Sequence, residues 1–330
     1  MVTWQTDMWS DARVLITGGA GFIGSNLARR LVELGSSVRI ADNFSRGSIQ
    51  NIEPFLDKVE IHRVDLAKWE NCLAAVKGVE YVFHLAASVG GIHYISKENV
   101  EGSTPSVLMN TLMLEAARMN DIERYLFTSS ACVYRERSNQ LNRFKEEDAF
   151  PANPQTTYGW AKILGEIQCK SYHLDYGIKS CILRIFNAYG ENENLDPKSS
   201  HVIPSLIRKS LRYPSERFEI FGDGRQERAF LYVQDCVDAL LLGMEKIQDA
   251  EPINLGGEEI VSMGELATRI AKLSGRDLPL EYDVRGPQGT YRYCADTTRM
   301  RNTLGWLPIT SLDTGLGRTY EWARRALNVA

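Results

Sequence analysis

Thr17-Gly18-Gly19-Ala20-Gly21-Phe22-Ile23-Gly24 joins an apolar run, Arg13–Thr17, to an amphipathic run, Phe22–Leu34. The first run is typical of a buried strand, and the second has helical spacing. Glycines at 18, 21 and 24 remove side chains where a strand turns into a helix and where backbone approaches a pyrophosphate. The amides of the helix N-terminus then face the phosphates. We therefore expect Gly18, Gly21, Phe22, Ile23 and Gly24 to contact a dinucleotide.

Strand-like and helix-like segments alternate from this turn to residue 190. The further strands are predicted at Ser37–Asp42, Val59–Arg63, Glu80–His84, Arg124–Thr128 and Lys179–Phe186, with helices at Ser103–Asn120 and Tyr158–Tyr176. Short apolar strands separated by helices indicate βαβ units and right-handed crossovers. The prediction is an α/β fold, a doubly wound parallel sheet of Rossmann type over residues 1–190.

Residues 191–330 have a looser pattern. A polar loop at 191–200 leads to further elements, predicted as strands at Phe218–Phe221 and Ala229–Tyr232 and helices at Val202–Arg212, Asp235–Lys246, Met263–Ser274 and Leu312–Leu327. We expect a smaller mixed α/β lobe that binds substrate beside the carboxyl ends of the sheet strands. Strand and helix returns to the first domain are expected near residues 229–255.

Composition argues against several classes of protein. The 330 residues include 38 basic and 42 acidic side chains, without the basic excess of a nucleic-acid binder. No uncharged stretch reaches the roughly 20 apolar residues of a membrane helix, and residues 1–11 lack a signal-peptide pattern. Six cysteines without a CxxC pair disfavour disulfides and zinc. We expect a cytoplasmic protein with no metal and no membrane partner.

An acidic residue, Asp42, ends the second predicted strand, 18 residues after Gly24. Its carboxylate can accept hydrogen bonds from both ribose hydroxyls and would repel a 2′-phosphate, so NAD is favoured over NADP. Asn43 and Arg46 follow in the same loop, and the positive charge of Arg46 tempers this preference slightly.

Two other strand ends are candidate cofactor contacts. Asp65 and Leu66 follow the third strand and could close an adenine pocket, although the Asp65 carboxylate could instead cap a helix. The fourth strand ends in small residues, His84-Leu-Ala-Ala87. We expect Ala86 to let the backbone pass close to the cofactor.

A second motif, Tyr158-Gly-Trp-Ala-Lys162, opens a predicted helix. Its i, i+4 spacing places both side chains on one face. A nearby ammonium would favour the phenolate and lower the tyrosine pKa from about 10 toward neutrality. Tyr158 could then act as acid or base at a hydroxyl or carbonyl. Ser129 and Ser130, just past a strand end, offer a hydroxyl to the same oxygen.

Seven motifs resemble the extended short-chain dehydrogenase/reductases, the family of nucleotide-sugar epimerases and dehydratases. They are TGGAGFIG, DNFSRG, HLAA, SSACVY, YGWAK, RIFNAYG at Arg184–Gly190 and GDGRQERAFLYVQD at Gly222–Asp235. The resemblance covers about residues 12–326. It implies a tightly held NAD, a nucleotide diphosphate sugar in the C-terminal lobe, a catalytic triad of Ser130, Tyr158 and Lys162, and a homodimer.

The residues after Ser130 narrow the implied reaction. Dehydratases carry an Asp-Glu pair where this chain has Ala131-Cys132. A cysteine there resembles two branches of the family, the GDP-mannose 3,5-epimerases and the GDP-fucose synthases. The loop containing Gly90 and Gly91 also resembles theirs, and Gly256–Met263 is most like the 3,5-epimerases. The resemblance implies that Cys132 is catalytic and that Gly90 and Gly91 contact substrate.

Ser200-His-Val-Ile-Pro204 resembles the segment with the histidine acid/base of the GDP-fucose synthases. The 3,5-epimerases have a lysine-bearing segment at this place. The second acid/base is therefore His201 or Lys198, with His201 favoured. We expect Lys198 and Val202 to lie at the substrate.

Basic and amide side chains are expected at the substrate diphosphate. Arg228 and Arg292 resemble the family's pyrophosphate arginines, whose guanidinium groups fork onto two phosphate oxygens. Asn187 resembles the asparagine that contacts the diphosphate, and Lys209 is a weaker candidate.

The expected activity is NAD-dependent epimerisation of a GDP-mannose-like nucleotide sugar through a transient 4-keto sugar. A C4 ketone acidifies C3–H and C5–H, and inversion then needs a base on one face and an acid on the other. Cys132 and His201 both have accessible protonation states near neutral pH. The alternatives are a nucleotide-sugar 4-epimerase, which needs neither group, and an epimerase of a modified GDP-sugar. Asp42 argues against an NADPH-consuming reductase, and the intact triad argues against a non-catalytic NAD-binding regulator.

Overall fold

The computed structural model describes residues 6–88, 100–135, 143–285 and 290–329. A seven-stranded sheet is its centre, in the spatial order β11-β6-β5-β4-β1-β2-β3. These strands are β1 Arg13–Thr17, β2 Ser37–Asp42, β3 Val59–Arg63, β4 Tyr81–His84, β5 Arg124–Ser130, β6 Ser180–Ile185 and β11 Asp249–Leu255. Every neighbouring pair is parallel. The predicted doubly wound sheet is confirmed.

Helices cover both faces of this sheet, and three further helices belong to a second lobe. They are α1 Thr6–Trp9, α2 Phe22–Glu33, α3 Trp69–Val76, α4 Val100–Met119, α5 Thr157–Tyr176, α6 Val202–Arg212, α7 Val233–Lys246, α8 Met263–Leu273, α9 Thr298–Leu304 and α10 Leu312–Ala326. Short 3₁₀ turns lie at Ile49–Asn51, Glu53–Lys58, Ala131–Val133 and Glu146–Ala149. One apolar core joins α2 and α7 to the sheet, and a second joins α3, α4 and α5 to it.

Small sheets and three helices build the second lobe. Its strands are β7 Ala188–Tyr189, β8 Glu219–Phe221, β9 Glu227–Ala229, β10 Leu231–Tyr232, β12 Ile260–Ser262, β13 Glu281–Asp283 and β14 Arg292–Tyr293. Strand β9 lies between β12 and β14, while β7 pairs with β10 and β8 with β13. A third apolar core packs α6, α8 and α10 together.

The single strand predicted at Ala229–Tyr232 is wrong. The chain changes partners at Phe230, so that β9 and β10 belong to different sheets. Asn187 causes the change, because its side-chain amide donates to Ala229 O at 3.1 Å and its own carbonyl accepts from Leu231 N at 3.2 Å. Asn187 has φ +42°, a left-handed conformation that asparagine tolerates well.

The carboxyl ends of the parallel strands meet at one edge of the sheet, where ligands bind in folds of this type. Thr17, Asp42, His84 and Ser130 end β1, β2, β4 and β5 there. Among the described residues, no helix is long and apolar enough to cross a bilayer. Nor does that part of the chain bring three His, Cys, Asp or Glu side chains together as a metal site.

Candidate active site

The turn between β1 and α2 has the geometry that a dinucleotide needs. Gly18 has φ +68°, and a Cβ there would lie 3.0 Å from Ala86 Cα. A Cβ at Gly24 would lie only 2.3 Å from Gly18 O, so the helix start packs against the turn through bare backbone. Gly21 is the N-cap and provides no capping side chain. The amides of the first helical turn, from Phe22 to Gly24, therefore remain available for phosphate oxygens.

Asp42 is held rigidly at the end of β2. Its carboxylate accepts hydrogen bonds from Ala20 N at 3.0 Å and Phe44 N at 2.8 Å. Burial raises the pKa of Asp42, and these two amides oppose the rise. Its remaining lone pairs can accept ribose hydroxyls. Asn43 and Arg46 are exposed in the following loop.

Asp65 does not cap a helix, so that alternative is wrong. Its side chain accepts a hydrogen bond from Ala67 N at 3.0 Å in a local turn. Helix α3 begins four residues after Asp65, and Lys68 is its N-cap. Leu66 is buried. A role for Asp65 and Leu66 in the adenine pocket stays a prediction.

A buried polar chain that sequence reasoning missed links the dinucleotide turn to α5. His84 Nδ1 lies 2.8 Å from Thr17 Oγ1, and its Nε2 lies 3.1 Å from Asn110 Oδ1. Burial lowers the pKa of His84 to about 3, and the charge of Lys162 adds to this effect. The ring is therefore neutral, donating from Nε2 and accepting the Thr17 hydroxyl proton at Nδ1. The Asn110 amide continues the chain to Ala161 O at 3.2 Å.

Ser130, Cys132, Tyr158 and Lys162 come together where β5 ends and α5 begins, and we call them the 130–162 cluster. Ser130 Oγ accepts from Cys132 N at 3.2 Å and hydrogen-bonds the Tyr158 hydroxyl. Lys162 Nζ donates to Thr128 O at 2.6 Å and lies 5.6 Å from the Tyr158 ring centroid.

A glycine makes this approach possible. A Cβ at Gly159 would lie 2.3 Å from Cys132 O and 2.7 Å from Pro154 Cβ. Helix α5 can therefore touch the backbone of the Cys132 turn only because residue 159 has no side chain.

The expected lowering of the Tyr158 pKa is wrong for this structure. Burial raises the pKa of Tyr158 above its ordinary value, the nearby Cys132 adds to the rise, and the Ser130 hydrogen bond opposes it. Burial also lowers the pKa of Lys162 to about 8. Lys162 directs its hydrogen bond to Thr128 O and meets the ring of Tyr158, so its charge is not aimed at the phenolic oxygen.

Ser129 and Ser130 have separate tasks. Ser129 is buried and donates to the Glu166 carboxylate, whereas Ser130 belongs to the 130–162 cluster. Glu166 also accepts two hydrogen bonds from Arg184, at 2.9 and 2.7 Å, and both side chains are almost fully buried. Arg184 continues to Tyr134 OH at 2.8 Å. This buried network under the cluster carried no signal in the sequence.

His201 lies on what we call the 191–201 segment, residues 191 to 201 between β7 and α6. Its Nδ1 is 2.7 Å from Glu193 Oε1, and its ring is half-exposed while Glu193 is buried. Burial acts to lower the pKa of His201, but the hydrogen bond and charge of Glu193 outweigh it and hold the pKa above its ordinary value. Arg46 opposes Glu193 from the loop after β2.

The two candidates for the second acid/base have different surroundings. His201 occupies the N-cap position of α6, which begins at Val202, but its ring makes no capping hydrogen bond. Lys198 is exposed in a turn, where its backbone amide donates to Asp196 Oδ1 at 3.0 Å. The contacts that the described residues make connect His201 to Glu193 and Arg46 rather than to the 130–162 cluster.

The expected phosphate ligands lie on neighbouring strands. Arg228 on β9 donates to Thr290 O at 2.9 Å, and Arg292 on β14 pairs with the Glu227 carboxylate. Next to Arg292, Tyr293 OH donates to Ala131 O at 2.6 Å, which brings β14 against the Cys132 turn. The phosphate roles of both arginines stay predictions.

Four further residues were expected at the substrate. The side-chain amide of Asn187 donates to Ala229 O, and Lys209 Nζ donates to Glu219 O at 2.9 Å. Gly90 and Gly91 lie outside the described residues. Their substrate roles also stay predictions.

Comparison with known proteins identifies the class. Residues 14–256 match the NAD dependent epimerase/dehydratase family. GDP-mannose 3,5-epimerase 1 of Oryza sativa subsp. japonica is 37% identical over 318 residues, 96% of this chain and 82% of that protein. A UDP-glucose 4-epimerase of Thermotoga maritima, solved with UDP-glucose, superposes with a TM-score of 0.87 at 28% identity and 95% and 99% coverage of the two chains. Another from Thermus thermophilus, solved with NAD, gives 0.83 at 25% identity and the same coverage.

The chain belongs to the NAD dependent epimerase/dehydratase family. The expected NAD-dependent nucleotide-sugar epimerase is confirmed at this level by the family model and by these relatives. The glycine turn, the uncapped start of α2 and the fixed Asp42 carboxylate fit NAD as its cofactor.

Proposed function

We propose that the enzyme inverts C5 of a GDP-mannose-like nucleotide sugar, with C3 as a second candidate position. The observation that carries this proposal is the thiol of Cys132 inside the 130–162 cluster, within electrostatic range of both Tyr158 and Lys162. A 4-epimerase has no use for a second acid/base beside its tyrosine. The rice relative named as a GDP-mannose 3,5-epimerase supports the same substrate class.

The 130–162 cluster handles the sugar C4 oxygen. The start of α2 and the Asp42 carboxylate would hold NAD, which would supply the reversible oxidation at C4. Tyr158 takes the C4 hydroxyl proton and later returns it, while Ser130 hydrogen-bonds the tyrosine oxygen. Lys162 is anchored on Thr128 O, with its ammonium over the Tyr158 ring rather than aimed at the phenolic oxygen.

Two side chains then exchange the C5 proton. The C4 ketone makes the neighbouring C–H bond acidic, and inversion requires removal from one face and return on the other. Glu193 favours the imidazolium of His201, so His201 is the acid and Cys132 the base. Lys162, beside Cys132, favours its thiolate. Among the described residues Lys198 has no comparable buried partner, which supports His201 over it.

Proton NMR of the holoenzyme with GDP-mannose in D₂O tests the proposal. We expect deuterium at C5, and at C3 if that carbon also inverts. Cys132→Ser should abolish this exchange while NAD reduction by the sugar continues. Exchange that survives in Cys132→Ser would contradict the proposed role of the thiol.

The competing 4-epimerase is tested by the same spectra. The structural similarity to the Thermotoga maritima UDP-glucose 4-epimerase supports this alternative. A changed C4 configuration without solvent deuterium would assign the chain to that activity and reduce Cys132 to packing. A panel of UDP-, dTDP- and modified GDP-sugars then tests which nucleotide and which sugar the enzyme accepts.

We also propose a homodimer joined through α4 and α5. Several large apolar side chains are exposed on these two helices, namely Leu108, Met119, Trp160, Leu164, Ile167 and Leu174. Those on α5 recur at helical spacing, which makes one apolar stripe. Light scattering should give twice the chain mass, and Ile167→Glu should give a monomer. A monomeric wild-type protein would refute the dimer.

We propose a cytoplasmic location. All six cysteines are thiols in the structure, and five of them are buried. Thiols of this kind fit a reducing compartment. Fractionation of the native host would test the location, and recovery from an oxidising compartment would contradict it.

A further inference from the structure

Glu193 is a buried carboxylate with an unusual placement. It lies on the polar 191–201 segment, but its side chain is 2% exposed, whereas the side chain of His201 is 54% exposed. Oε1 meets His201 Nδ1 at 2.7 Å. Oε2 is also buried, and within the described part of the chain it has no hydrogen-bond partner of normal geometry. Burying a carboxylate is costly unless a partner compensates it, so the site holds this group against a desolvation penalty.

The hydrogen bond fixes the chemical state of the ring. Burial raises the pKa of Glu193, while the hydrogen bond and charge of His201 and the Gly190 amide act to lower it. An ionised carboxylate can only accept, so with Glu193 ionised Nδ1 carries the proton. Nε2 is then the nitrogen left to exchange a proton, and it makes no hydrogen bond within the described residues. The ring sits at the N-cap of α6 without capping it, so helix capping does not explain its orientation.

The charges around the pair come from three parts of the fold. Glu193 contributes a negative charge from the 191–201 segment, and Arg46 contributes a positive charge from the loop after β2. Arg208 on α6 holds the same segment from beneath, through Leu195 O at 3.1 Å and Ser200 Oγ at 3.2 Å. Of these charged groups, Glu193 is the one in hydrogen-bond contact with the ring, and it acts on the His201 pKa more strongly than Arg46 does.

We propose that Glu193 is a positioning residue: its carboxylate fixes the Nδ1–H form and the orientation of His201, and leaves Nε2 to give the sugar its proton. The proposal rests on the proposed function, in which His201 is the acid. In this step the Nε2–H bond of the imidazolium breaks and a C5–H bond forms from the C4–C5 π electrons of the enolate, which restores the C4 ketone and leaves His201 neutral.

The test compares Glu193→Gln with Glu191→Gln in the NAD-loaded enzyme. Glu191 lies on the same segment but accepts from Tyr232 OH instead. Histidine NMR titration reads the pKa of His201, with His201→Asn used for assignment. Deuterium exchange from D₂O into GDP-mannose reads kcat, KM and their pH dependence.

We expect Glu193→Gln to lower the His201 pKa, because the carboxylate that favours the imidazolium is gone. An acid must be protonated, so the basic limb of the kcat profile should move to lower pH. Exchange should fall about 10- to 100-fold in kcat, the range for one hydrogen bond to a charged group, with KM little changed. Glu191→Gln should leave the titration and the profile as in the wild type.

Glu193→Asp keeps the charge and guards against misfolding of the glutamine variant. It should retain the basic limb of the wild type with a lower kcat. An unchanged His201 titration in Glu193→Gln, or an aspartate variant that matches glutamine, would overturn the proposal. A wild type without exchange, but with a His201 titration that responds to Glu193, would sink the proposed function and reduce the pair to a structural one.

Discussion

The 130–162 cluster and the 191–201 segment are supported in different ways. Beneath the cluster lie Glu166 and Arg184, a buried ion pair that Ser129 and Tyr134 extend. The 191–201 segment has one buried carboxylate, Glu193, under a half-exposed ring. The 130–162 cluster is therefore supported by the sheet core, whereas the 191–201 segment is a loop held by a few hydrogen bonds.

This difference matches the two tasks that we propose. A group that handles the C4 oxygen must keep one geometry through oxidation and return, which a packed support secures. A group that gives a proton to the other face of the sugar must reach a substrate that enters the site from solvent. The pKa values differ in the same way between the two regions. Burial lowers the pKa of Lys162 to about 8, whereas Glu193 raises the pKa of His201 although burial acts to lower it.

The strongest test of the cluster is Tyr158→Phe. Loss of a positioned acid/base should cost roughly 10²- to 10⁴-fold in rate. We expect both NAD reduction by the sugar and deuterium exchange to fall together, because exchange needs the C4 ketone. Tyr172→Phe is the control, since its hydroxyl lies on the same helix but contacts Glu115. Deuterium exchange that persists in Tyr158→Phe after NAD reduction is lost would show that exchange does not need the C4 ketone, and would refute this dependence.

The support of the cluster is tested by Arg184→Met. The change leaves Glu166 as an uncompensated buried charge, which should destabilise the fold by roughly 3–5 kcal/mol. Urea unfolding of the holoenzyme measures the loss. Arg324→Met removes an exposed ion pair with Glu321 and should change stability by less than about 1 kcal/mol. Similar losses in both variants would mean that the buried network is no stronger a support than the surface.

The same contrast marks what could be predicted from the sequence. The turn at Gly18–Gly24 and strand β2 are local patterns, and the structure has them where the sequence placed them. The Ser130, Tyr158 and Lys162 positions followed from motif context. In each case the signal lies within a few residues of the feature.

Features that depend on distant residues could not be predicted in this way. Asn187 divides Ala229–Tyr232 into two strands from more than 40 residues away. Arg184 and Glu166 pair across 18 residues, and only the assembled sheet shows that both are buried. The Tyr158 pKa was misjudged because i, i+4 spacing gives a shared face but not the direction of the Lys162 ammonium.

The burial of Lys162 predicts a pH dependence. Its pKa is about 8 in the folded protein against an ordinary 10.5. Between these values the unfolded chain binds a proton that the folded chain does not, so stability contributed by this group rises with pH. Relative to Lys162→Met, the wild-type free energy of unfolding should increase by about 3 kcal/mol across that window. A pH-independent difference between the wild type and Lys162→Met would contradict the burial effect.

The smallest effect concerns the contact between α5 and the Cys132 turn. Alanine in place of glycine normally stabilises a helix by up to about 1 kcal/mol. At Gly159, however, the new Cβ would lie 2.3 Å from Cys132 O, so the turn must move. We expect about a tenfold loss of deuterium exchange with a smaller loss of NAD reduction, because the thiol moves more than the tyrosine. Gly317→Ala, which meets open space on α10, is the control. Equal loss of both steps would show that Gly159 positions Tyr158 as much as Cys132.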